Sequence, residues 1–148
     1  MQFFRSLWWT AALLLALCGA AAAAPSEQEA LATGTWYGEF SAGLGQPLQR
    51  FLTTRSADGT FTLVARLYEQ GRATSQLQNK GLWGVSNGMY FTVTTEIDGK
   101  RTDPRNGDLV NPYLVRSLVA GTFEYQHIPS GRVFRATRVD PAITRLPD

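Results

Sequence analysis

Cysteine is almost absent. Cys18 is the single one in 148 residues, and it falls in a leader-like N-terminus. The remaining chain therefore has no disulfide, no thiolate nucleophile and no cysteine-based metal site. Histidine is as scarce, with His127 alone. A general base needs an orienting acid and a nucleophile beside it, and on a strand Glu124 and His127 fall on opposite faces. A lone histidine without cysteine makes no zinc site either. No phosphate-binding glycine loop, dinucleotide fingerprint or G-x-S-x-G elbow occurs. These absences argue for a protein that is not an enzyme and uses no metal or other cofactor. Lysine numbers 2 against 12 arginines, and the net charge is +2. Loss of a leader holding Arg5 would lower it by one, which leaves no electrostatic footprint for a nucleic-acid partner.

What is present begins with an address. Arg5 precedes an apolar run from Leu7 to Leu17, and small residues follow from Gly19 to Ala24. This is the layout of a secretory signal, so residues 1–24 read as a signal peptide, residues 25–140 as one domain and residues 141–148 as a flexible tail. The apolar run is too short for a comfortable membrane span. The expected destination is the bacterial periplasm or the exterior. Leu15-Ala16-Leu17-Cys18-Gly19 also has the outline of a lipoprotein processing site, with Leu17 where a small residue is usual. Lipidation of Cys18 is the alternative to cleavage after the alanines.

After a capping box at Ser26-Glu27-Gln28-Glu29, which predicts a short helix to Ala32, the helical period ends. Turn dipeptides recur instead: Asp58-Gly59, Gln70-Gly71, Asn87-Gly88, Asp98-Gly99, Asn106-Gly107 and Ser130-Gly131. Between them apolar and polar residues alternate, the mark of half-buried strands. Phe61, Leu63, Ala65 and Leu67 make one such face, Met89, Phe91, Val93 and Ile97 another, and Phe123 and Tyr125 a third. The pattern predicts strands at about 34–42, 47–56, 60–69, 72–79, 81–86, 89–98, 112–119, 121–127 and 132–139. Sequential hairpins without a long crossover favour a meander, and closure removes its two open edges. The fold class is thus all-β, an up-and-down antiparallel barrel of about 8–10 short strands. Strands this short, with Arg and Glu on their outer faces, argue against an integral membrane barrel.

A short helix leading into a strand that opens Gly34-Thr35-Trp36-Tyr37 resembles the start of a calycin, the superfamily of lipocalins, fatty-acid-binding proteins and avidins. The resemblance implies that Trp36 closes one end of the barrel beneath an arginine from the last strand. Here Arg138, on the face of Phe134 and Ala136, is that arginine, and Gly34 shares the face of Trp36. It also implies a small apolar or amphipathic ligand in the lumen. If each apolar face is the inner one, Phe61, Leu63, Trp83, Phe91, Val93, Phe123 and Tyr125 line that lumen. Trp83, between Gly81-Leu82 and Gly84, has the plainer reading of a core residue filling the barrel. The rival function is a filled barrel that acts through its outer surface on an envelope protein partner.

Overall fold

The computed structural model describes residues 26–41, 45–103 and 105–146, together with 24 and 43. Residues 1–23, which hold Cys18 and all but the last residue of the expected signal peptide, lie outside the described residues. The domain opens with helix α1 (Glu27–Ala32), held by the expected capping box: the Ser26 amide donates to Glu29 Oε2 at 2.7 Å, and the Glu29 amide to Ser26 Oγ at 3.2 Å. Strands follow as β1 (Gly34–Ser41), β2 (Leu48–Arg55), β3 (Thr60–Glu69), β4 (Arg72–Ser86), β5 (Met89–Ile97), β6 (Lys100–Arg101), β7 (Val110–Val119), β8 (Thr122–His127) and β9 (Val133–Val139).

Hydrogen-bonded neighbours run β4-β3-β2-β1-β9-β8-β7-β5, and β4 pairs back onto β5. All pairings are antiparallel, so eight strands close into an up-and-down barrel. The two residues of β6 only extend the edge of β5. Gln70-Gly71, Asn87-Gly88 and Asp98-Gly99 turn as anticipated: Gln70, Asn87 and Asp98 take φ of 49°, 51° and 48°, which suits the twist of two-residue hairpins. Asn106 instead caps a single 3₁₀ turn at Gly107–Leu109.

One strand differs from expectation. Residues 72–79 and 81–86 are not two strands but the single 15-residue β4. Gly81 does not break it. A Cβ there would lie 1.9 Å from the Val93 carbonyl oxygen and 2.9 Å from the Phe61 ring, so glycine is what lets β5 close onto β4 at the bulge beside it. The expected fraying after Pro141 also has an exception, since Leu146 is buried and, with Thr144 and Arg145, flanks Val64 and Arg66 of β3.

Candidate functional site

One end of the barrel is plugged. Trp36 is fully buried, and its indole Nε1 donates to the Ala32 carbonyl at 2.9 Å. The Arg138 guanidinium lies 4.5 Å from the Trp36 ring. It donates from Nε to Ala120 O at 2.8 Å and from Nη1 to Thr33 O at 2.7 Å, and from Nη2 to Leu31 O. Carbonyls left over at the end of α1 thus find a cation and an indole. Gly34 sits against this group with φ +119°, and a Cβ there would meet Arg138 Nη1 at 2.5 Å. Trp83 belongs to the same plug. Its amide and its indole Nε1 bond Gly59 O at 2.8 Å and Ser56 O at 3.0 Å, and it packs in the core with Val85 and Phe61.

The other half of the lumen is open. A cavity of about 230 Å³ is lined by Gln49, Phe51, Leu63, Leu77, Asn79, Asn111, Tyr113, Tyr125 and Phe134. Tyr125 and Phe134 stack with centroids 5.6 Å apart, and Tyr113 meets Tyr125 edge-on at 5.2 Å. His127 stands by the same wall, 5.2 Å from Tyr113, with Nδ1 bonded to Ser130 Oγ at 2.7 Å. It is half-buried rather than the surface residue its hairpin-tip position suggests.

Between plug and cavity lies Arg55. Its side chain is 1% exposed. Nε donates to the Tyr90 hydroxyl at 3.1 Å, and the guanidinium carbon lies 4.8, 5.0 and 6.0 Å from the rings of Tyr90, Phe123 and Tyr125. Among the described residues no carboxylate pairs with it. Among the described residues the barrel-strand acids point outward: Glu39 pairs with Arg50 at 3.0 Å, Glu96 with Lys80 at 2.9 Å, and Glu124 lies opposite exposed Arg135, while Glu69 ends β3 at a turn. Arg55 Nη1 is buried with no hydrogen-bond partner, and so is Asn79 Oδ1 in the cavity wall. Cation–π contacts return about 0.5–2 kcal/mol each, whereas burying an ion costs several kcal/mol even after relaxation. The tyrosines keep their protons. Burial pushes Tyr113 and Tyr125 well above the ordinary phenol range, opposed in part by the nearby Arg55 charge.

Of the lumen residues expected from the sequence, Leu63 and Tyr125 line the cavity. Phe61, Phe123 and Trp83 are buried in the packed core. Phe91 and Val93 are corrections. Both lie on the outer face, Phe91 at 42% exposure and packed over Gly84. Inside β5 stand Tyr90, Thr92 and Thr94, all buried. Arg55 departs in turn from the expectation that strand arginines lie on the outer faces, since it is buried inside the barrel. The signal for β5 lay in the Asn87-Gly88 turn. A two-residue loop pairs Ser86 with Met89, and so Trp83 with Thr92. Trp83 and Phe91 cannot then share a face. Compared with models of protein families and with the curated proteins, the chain matches none.

Proposed function

We propose that this chain is an exported, calycin-like barrel that binds a small apolar or amphipathic molecule in the open half of its lumen. The observation that carries this reading is the cavity of about 230 Å³ walled by Phe51, Leu63, Leu77, Tyr113, Tyr125 and Phe134. The kinship draws support from the capped helix before β1, the eight-strand closure and the Arg138 guanidinium 4.5 Å over Trp36. Typical small-molecule sites run to about 300–1,000 Å³, so the occupant is at the small end. Burying it offers about 25 cal/mol per Å² of apolar surface, less the cost of immobilisation. Native mass spectrometry of the protein produced with its leader in a bacterial host tests the reading. A small molecule released on collisional activation supports it. A bare mass, together with no saturable binding of small aromatic or aliphatic probes, contradicts it.

A second reading rests on a separate observation. Leu82, Phe91, Val110 and Leu114 are each 42–50% exposed. They form one outer strip, because Leu82 pairs with Val93, Val93 with Val110, Phe91 with Pro112, and Met89 with Leu114. Such a strip fits a protein partner in the cell envelope. A defined polypeptide that co-purifies, and that is lost with the Leu82→Gln/Phe91→Ser double variant, would favour this reading over the carrier.

A further inference from the structure

We infer that the lumen ligand carries a single carboxylate, seated on the cavity floor where Tyr113, Tyr125 and the Arg55 guanidinium meet. The inference rests on the carrier reading above and names the chemical class of its cargo. Three observations carry it. The guanidinium is buried, and no described carboxylate pairs with it. Its Nη1 lacks any hydrogen-bond partner, although a guanidinium has five N–H donors to place. One of the three rings around it, Tyr125, is also a wall of the cavity, and Tyr113, another wall, meets Tyr125 edge-on at 5.2 Å, so a bound molecule comes within one side chain of the charge. Native proteins rarely leave such a donor buried and unused, and each case asks for an explanation.

The charge balance selects the class. Arg138 is committed to three carbonyls at the far end. Arg132 lies over Phe40, 5.4 Å from its ring, behind the Phe40–Phe134 contact, and is not itself a lining residue of the cavity. One inward cation thus awaits one negative charge. A planar carboxylate matches the planar fork of a guanidinium. The Tyr113 and Tyr125 hydroxyls, both protonated, can donate to the same oxygens. The Asn79 amide can turn its Nδ2 toward them, since its two orientations differ only in which end faces the cavity. The size of the space points to a short or single-ring acid.

The test is calorimetric titration of the purified protein at neutral pH with benzoate and hexanoate, each against its neutral amide, benzamide or hexanamide. The expected result is a carboxylate bound at least tenfold more tightly than its amide, with that preference abolished by Arg55→Met. Equal affinity for acid and amide overturns the carboxylate assignment and leaves the carrier reading standing. Binding of neither kind of probe removes both. A preference that survives Arg55→Met assigns the charge elsewhere and also overturns the proposal. The comparison within the unmodified protein holds whether or not the variant folds.

Discussion

Arg138 lies 4.5 Å over the ring of Trp36, and both side chains bond carbonyls at the end of α1: Trp36 that of Ala32, Arg138 those of Leu31 and Thr33. One pair of side chains therefore joins first strand, last strand and helix into a single lid. Arg138→Met keeps much of the apolar stem and removes the rest. The loss combines a cation–π contact of about 0.5–2 kcal/mol with three carbonyls deprived of a charged donor. A destabilisation of roughly 2–5 kcal/mol is expected, read as a lower urea midpoint with little change in slope. A cost below about 1 kcal/mol would mean that the lid does not hold the barrel.

The inner and outer faces of β5 and β8 make a second prediction. Phe123 is fully buried at the centre of the aromatic cluster, while Phe91 is 42% exposed over Gly84. Phe123→Ala should cost roughly 3–5 kcal/mol, as for other buried rings. Phe91→Ala should cost about 1 kcal/mol, because much of that ring is already in water. Equal costs in chemical denaturation would contradict the placement of the two faces.

This contrast also marks how far the sequence carries. Period-two runs at Phe61 to Leu67 and at Phe123 to Tyr125 have one clearly apolar face, and those faces are the inner ones. In β5 both faces are plausible. Met89, Phe91 and Val93 look more apolar than Tyr90, Thr92 and Thr94, yet the hairpin register with Trp83 turns the polar set inward. Pattern alone fails where a barrel interior is part cavity and needs hydroxyls. Arg55 was hidden for a related reason. Its position alternates with Phe51 and Thr53, but a buried arginine without an acid runs against the usual partition of charge. The lid was legible through the resemblance carried by Gly34-Thr35-Trp36-Tyr37, which implies an arginine of the last strand over Trp36, and Arg138 takes that place. The continuity of β4 was not, because Gly81 reads as a break and serves as a close contact.

Arg55 leads to a third prediction. Its charge is buried with one donor unsatisfied. Replacing a buried ion by an apolar side chain of similar volume is often neutral or stabilising, by up to about 4 kcal/mol. Arg55→Met should thus leave the thermal midpoint of the unliganded protein unchanged or raise it. A large fall would show that the Tyr90 bond and the ring contacts outweigh the cost of burial.

A fourth prediction concerns alkaline pH. Burial raises the pKa of Tyr113 and of Tyr125 above the ordinary phenol value of 10.0. The fold therefore holds both protons more tightly than the unfolded chain. Their contribution is fully present below about pH 10 and is lost as pH rises beyond it. Urea midpoints measured from pH 8 upward should stay level and then fall above that value. Tyr125→Phe should make the fall shallower. An identical fall in the variant would exclude Tyr125 as a source.

The most direct test of the half-open lumen is the map of amide shift changes in a ¹H–¹⁵N spectrum during titration with benzoate. The largest changes are predicted at Gln49, Leu63, Asn79, Tyr113, Tyr125 and Phe134, which ring the cavity, with Leu82, Phe91 and Leu114 on the outer strip unmoved. Saturable changes confined to that outer strip, or none anywhere, would contradict a ligand inside the barrel.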